Sequence, residues 1–267
     1  MNAKSKSTLG KMEKIMRVRN YSENTTKTYI HYTCKFLNNF DEDPYHISAK
    51  KAERFLLNNK YTSVSQQNQF ISAVKMFFQL IQDKKLKVKV VRPRKEKKLP
   101  RIIDAETARD KILAIKNKKH KAILALGLSC GLRVSEVVGL NISDIDSKRK
   151  VIHVKNAKGR KDRIVPLSDD LLSILREYYK EYKPKQKLFN GQFKTAYSVS
   201  SCSNIVKKYL GNDKHFHLLR HSSFTSMLEN GTDLRVIQVV AGHSNVQTTC
   251  GYAHVSKNFI NQAVTPI

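Results

Sequence analysis

Acidic residues are scarce in this chain of 267 residues: 22 Asp and Glu face 50 Lys and Arg, a formal net charge of +28. Self-repulsion of that size is best explained by a polyanionic partner, with nucleic acid ahead of an acidic membrane surface. Long apolar runs are also missing. The longest charge-free apolar stretch, 122–132, is too short to span a bilayer, and the opening Met-Asn-Ala-Lys-Ser-Lys-Ser leads into no signal-like apolar region. Cysteine is sparse and scattered, at Cys34, Cys130, Cys202 and Cys250, and without a C-x-x-C pair neither a zinc ribbon nor a disulfide framework is indicated. A cytoplasmic protein in a reducing compartment is therefore expected. The phosphate-binding pattern G-x-x-x-x-G-K-[ST] is absent, and so are internal repeats and low-complexity tracts.

Hydrophobic residues make up 40% of the chain, enough for one large core or two ordinary ones. The charge is shared between two parts. Residues 1–99 hold 22 basic and 8 acidic residues and 100–267 hold 28 and 14, so each part is +14. Between them, Lys84 to Pro100 combines dense positive charge with two prolines and reads as an extended basic linker. Upstream, Tyr29, Thr33, Phe36, Leu37 and Phe40 keep a helical period, as do Phe70, Ile71, Val74, Phe77, Phe78 and Ile81. Ser22 and Ser48 are expected N-caps, and Ala49–Asn58 a further helix. This organisation predicts a helical domain over 1–86, a linker over 87–100 and a second domain over 101–267.

The second part is mixed. A helix is expected over Lys121–Leu132, stopping near Gly131, where glycine takes a left-handed cap conformation. Three alternating segments, Ile142–Asp146, Val151–Lys155 and Arg163–Pro166, predict a small antiparallel sheet. Helical spacing returns over Asp169–Tyr182, Val199–Leu210, Leu218–Glu229 and Leu234–Ala241.

Chemistry-bearing residues concentrate at His217-Leu218-Leu219-Arg220-His221. His217 and His221 have the four-residue separation of zinc ligands on a metalloprotease helix, but Leu218 stands where that motif needs its Glu. His215-Phe216-His217 matches the short pattern of metal-dependent nicking enzymes. Elsewhere, Gly131-Leu132-Arg133-Val134-Ser135-Glu136 sets an arginine where one helix breaks and another begins, with Glu136 close enough to orient it. Ala241-Gly242-His243 precedes Tyr252 by a short interval. In order, Arg133, Lys158, His217 with Arg220, His243 and Tyr252 resemble the catalytic signature of the tyrosine recombinase, or phage integrase, family. Tyr21-Ser22-Glu23-Asn24-Thr25, followed by Tyr29 and Phe36, resembles the opening of that family's helical core-binding domain. The departures are Ala241 where many members have Leu, Ser222 where Thr is common, and Gly251 beside the tyrosine.

The resemblance implies a two-domain, mainly α fold, in which a helical core-binding domain precedes an α/β catalytic domain with a three-stranded antiparallel sheet. It implies a site-specific recombinase that cleaves and rejoins double-stranded DNA through a 3′-phosphotyrosyl intermediate, as a homotetramer, without cofactor or metal. In chemical terms, Arg133 and Arg220 suit a bidentate clamp on the phosphate charge that grows during attack. Tyr252 is the expected nucleophile, His217 its proton acceptor or positioner, and His243 a hydrogen-bond partner of the phosphate. Lys158, in the turn Ala157-Lys158-Gly159-Arg160-Lys161, is the expected general acid. Two alternatives share parts of this pattern, namely a type IB topoisomerase that relaxes DNA and a basic DNA-binding protein without enzymatic activity.

Overall fold

Side-chain caps begin the helices of the N-terminal part. The computed structural model describes residues 2–87, 102–155, 162–191, 196–243 and 245–253, and it divides into two compact units, Met1–Lys97 and Lys98–Ile267. In the first, Asn2, Ser22, Ser48 and Ser63 accept hydrogen bonds from backbone N–H groups and open α1 (Ala3–Val18), α2 (Glu23–Leu37), α3 (Ala49–Asn58) and α4 (Val64–Ile81). Each such cap satisfies an otherwise orphaned donor, worth about 1 kcal/mol. The apolar stripe of α4, Phe70 to Ile81, is buried as its spacing predicts. Phe36 is fully buried among Phe40, Phe55, Phe77 and Phe78, with ring centroids 5.0–6.4 Å away. Phe40 lies past the end of α2 yet still packs on this cluster, so its period reflects burial rather than helix.

The second unit runs α5 (Ala105–Leu113), α6 (Lys118–Ser129), α7 (Val134–Gly139), a 3-10 turn (Ile142–Asp144), β1 (Ile145–Asp146), β2 (Val151–Val154), β3 (Arg163–Pro166), α8 (Asp169–Tyr182), α9 (Val199–Leu210), α10 (Phe216–Glu229), α11 (Leu234–Ala241) and α12 (Val246–Ala253). The sheet is antiparallel in the order β1-β2-β3, with Ile152 opposite Val165 and Val154 opposite Arg163. Ile152, Val154 and Val165 turn into the core that α6, α8 and α9 complete.

Four boundaries differ from expectation, the smallest at β2, which stops at Val154 rather than Lys155. Helix α6 starts three residues earlier than predicted, because the Asn117 side chain caps it by accepting from the His120 N–H, and it ends at Ser129, two residues before Gly131 at φ +59°. Ile142–Asp144 is not strand: the Asp144 carboxylate accepts from the Asn141 N–H at 2.8 Å and winds the segment into a 3-10 turn. Helix α10 begins at Phe216, so His217 lies in its first turn. From residue 88 onward the expected basic linker lies outside the described residues, as do Lys158 and everything beyond Ala253.

Candidate active site

Arg220 is the most buried charge of the site, only 1% exposed. It projects from α10 and donates from Nη1 to the Gly131 carbonyl at 2.5 Å and from Nη2 to the Ala241 carbonyl at 2.6 Å. One guanidinium thereby ties the end of α6 to the end of α11. Its face lies over the Phe224 ring, 4.7 Å from the centroid. Gly131 makes this possible: its φ is +59°, and a Cβ there would meet the Phe224 ring at 2.5 Å. Burial pushes the Arg220 pKa down to about 10, with Arg133 acting in the same direction and Tyr252 and Glu136 opposing. The group remains charged at neutral pH.

Arg133 stands at the N-cap of α7, and Glu136 holds it twice. Oε2 accepts from the Arg133 N–H and Oε1 from Nη1, both at 2.8 Å. Glu136 also receives a second arginine that the sequence reading passed over. Arg163 of β3 donates from Nη1 and Nη2 to the two carboxylate oxygens at 2.8 Å, and from Nε to the Val240 carbonyl. Burial alone would raise the Glu136 pKa, but the Arg163 hydrogen bonds, followed by those of Arg133, outweigh it and hold the carboxyl at about 2. Gly242, with φ +62°, ends α11 directly above this arginine, and a Cβ there would lie 3.0 Å from the Arg163 Cδ. The Gly-His pair is thus a backbone requirement as well as a motif. With side chains only 6% and 5% exposed, the Arg163–Glu136 pair is costly to break from one side. Arg163→Ala should lower the unfolding free energy by about 3–5 kcal/mol in urea titrations. A loss below about 1 kcal/mol would instead match an exposed pair.

His243 is fixed from both nitrogens. Nε2 lies 3.2 Å from Arg220 Nη2 and Nδ1 lies 3.0 Å from Thr249 Oγ1. Arginine has no acceptor, so in this arrangement Nε2 accepts and Nδ1 carries the proton toward Thr249. Burial, then the charges of Arg220, Arg133, Arg163 and His217, lower its pKa to about 4, in keeping with a neutral ring.

Tyr252, 3% exposed, stacks on His243 with centroids 6.1 Å apart and planes 15° from parallel, and also touches Phe224 and His221. Burial raises its pKa, while Arg220 and Arg133 pull it down. His217 keeps an exposed edge and meets His221 edge to face at 4.5 Å. Partial burial and its protonatable or cationic neighbours, His221 first, press its pKa down to about 4. No third metal ligand gathers with these two histidines among the described residues. The structure therefore brings together Arg133, His217, Arg220, His243 and Tyr252 from α7, α10, the α11–α12 loop and α12.

A family model described as "Phage integrase family" matches residues 95–258, and one described as "Phage integrase, N-terminal SAM-like domain" matches 9–88. The chain belongs to the phage integrase family. It is similar to the tyrosine recombinase XerA of Pyrococcus horikoshii, at 33% identity over 91% of this chain and 87% of the relative. It is also similar to the tyrosine recombinase XerC of Staphylococcus epidermidis, at 33% identity over 89% of this chain and 88% of that one. A crystal structure of XerA recombinase matches with TM-score 0.55 and 28% identity, over 97% of this chain and 96% of that one. The XerH recombinase bound to palindromic difH substrate shares the fold, with TM-score 0.70 and 21% identity over 95% of this chain and 83% of that one.

The protein is a tyrosine-type site-specific recombinase, mainly helical with a small antiparallel sheet. Three residues of this recombinase's site were missed in sequence or read for other chemistry. Arg163 was seen only as the start of a strand, Thr249 only as part of a motif string, and His221 only as a zinc candidate. A positive charge heading an otherwise apolar strand was the available signal for Arg163. In the hairpin, Lys155 is occupied: Nζ donates to the buried Asp144 at 2.7 Å, and that bond, with the Asp144 charge, raises the lysine pKa.

Proposed function

We propose that the recombinase cleaves one DNA strand by attack of the Tyr252 hydroxyl on a backbone phosphorus. The P–O5′ bond breaks, leaving a 3′-phosphotyrosyl link and a free 5′ hydroxyl, and a 5′ hydroxyl then reverses the step to rejoin strands. Arg133 and Arg220 bear on the nonbridging oxygens, where negative charge grows. His217 takes or steers the tyrosine proton, His243 donates to the phosphate from Nε2 in the tautomer whose Nδ1 accepts from the Thr249 hydroxyl, and Lys158 protonates the departing oxygen. The observation that carries this reading is Arg220, held by the carbonyls of Gly131 and Ala241, with His243 at 3.2 Å and Tyr252 stacked on that histidine. Three of its five N–H donors have partners among the described residues, which leaves others for a phosphate. Lys158 is preferred to Lys155 because the Lys155 ammonium is already held by the buried Asp144 carboxylate.

Double-stranded DNA is the partner this chemistry and the +28 charge call for. Relatives named recombinases favour strand exchange over simple relaxation of supercoils. The full reading adds a homotetramer on two sites, a core-binding role for the first unit, a catalytic role for the second, and a cytoplasmic protein. Among the described residues no helix is long and apolar enough to cross a membrane. Nicked genomic fragments should become covalently attached to the purified protein, and sequencing the trapped strands should reveal one recurrent site. Because arginines supply the charge stabilisation in this scheme, trapping should persist in excess EDTA. Loss of trapping under EDTA would favour the metal-dependent nicking pattern around His215, and relaxation without two-site exchange would favour a topoisomerase.

A further inference from the structure

His221 has no part in the scheme above, yet it stands between two of its members. Its ring lies 4.5 Å from that of His217 and 5.6 Å from that of Tyr252. Its Nδ1 is buried and, among the described residues, has no hydrogen-bond partner. An unmade hydrogen bond on a buried polar atom costs about 1–3 kcal/mol, and beside His217 and Tyr252 this atom is placed to gain a partner during function. Burial, then the charges of Arg220 and His215, lowers the His221 pKa. A neutral ring keeps one nitrogen lone pair for accepting a proton donor. The adjoining elements bring to it His217 and Arg220 of its own helix, His215 just before that helix, and Tyr252 of α12. Of these, the Tyr252 hydroxyl is the donor whose direction decides the attack in the proposed reaction.

We infer that His221 is a positioning residue for the nucleophile: its buried nitrogen accepts a hydrogen bond from the Tyr252 hydroxyl as that group turns toward the phosphate. His221 thereby fixes the direction of the phenol, and His217 remains free to take the proton. The inference rests on Tyr252 being the nucleophile, and it adds a second histidine with a different task to the same helix.

The test is single-turnover covalent trapping on nicked duplex DNA, with DNA affinity and thermal unfolding measured in parallel. His221→Phe keeps a ring against Tyr252 but removes both nitrogens, so trapping should slow about tenfold or more, the rate equivalent of one lost hydrogen bond. His221→Asn returns an acceptor near the Nδ1 position and should trap within about threefold of the parent, since the bond is kept. Parent-like trapping by His221→Phe, or an Asn variant as slow as Phe, would overturn the inference. Should His221→Phe melt well below the parent, Asn and Gln decide the matter. Gln places its acceptor one bond farther out and should be the slower of the two, and equal rates would reject a role for Nδ1. A parent that traps no DNA, or a trapping-competent Tyr252→Phe, would instead remove the nucleophile reading on which this inference stands.

Discussion

Tyr252→Phe is expected to bind DNA as the parent does and to form no covalent complex with it. The substitution deletes one oxygen and keeps the ring, and the ring makes every described packing contact of the residue, with His221, Phe224 and His243. Folding and DNA affinity should therefore be preserved, and thermal unfolding with a binding isotherm checks both. With Tyr252 as the proposed nucleophile, the loss of trapping should be total. Lys158→Ala should fail in another way: if the lysine protonates the departing 5′ oxygen, replacing that oxygen with sulfur, a far better leaving group, should restore cleavage to the lysine variant. The same substrate should do nothing for Tyr252→Phe. Rescue of Lys155→Ala or Lys161→Ala in place of Lys158→Ala would move the general acid within the hairpin and leave the nucleophile unchanged. A covalent complex on Tyr252→Phe would place the nucleophile elsewhere.

The candidate groups for phosphate chemistry were legible in sequence because their types suit that chemistry and their order resembles the family signature. Arg133, His217, Arg220, His243 and Tyr252 were named from motif strings, and they meet in the structure. The groups that hold them were harder to read, since their partners are distant in sequence and unremarkable in type. Arg163 meets Glu136 of α7 and Val240 of α11 from a strand distant in sequence from both. Ser222 serves as a second case. It is the residue noted for replacing a common Thr, and its hydroxyl donates to the Ile103 carbonyl at 2.5 Å and accepts from the Ile103 N–H at 2.9 Å. That arrangement pins the segment before α5 to the helix bearing Arg220, and it needs only a hydroxyl, which explains why Ser can stand there.

Helix positions were read well where apolar periodicity dominates and less well where a single side chain decides the boundary. The bounds of α8, α9 and α11 agree with the spacing, whereas Asn117 moved α6 and Asp144 converted a predicted strand end into a turn. Helices α5 and α12 had no element predicted over them. Helix α12 is only eight residues long, and its placement depends on Thr249 bonding His243 and on Tyr252 entering the core.

Arg220→Lys should reduce covalent trapping by at least about a hundredfold, the scale of losing a main charge-stabilising donor. Lysine keeps the positive charge, so a role limited to attracting DNA predicts little change. The structure assigns more to this position than charge. The planar fork of Arg220 reaches the Gly131 and Ala241 carbonyls at once while offering other N–H groups toward the site, and a single ammonium cannot reproduce that geometry. Each charge-assisted hydrogen bond left unmade on a buried carbonyl is worth about 1.5–3 kcal/mol, so urea unfolding of Arg220→Lys should also show a loss of this order. Arg133→Ala separates the two effects. Its side chain is 21% exposed, and the Glu136 it leaves is still paired with Arg163. Trapping by Arg133→Ala should fall by a comparable hundredfold or more, with the smaller stability loss of the two. If both variants lose DNA affinity in proportion to trapping, the arginines only hold DNA and the charge-stabilising role is rejected. Undiminished trapping by Arg220→Lys would show that the fork serves the fold alone.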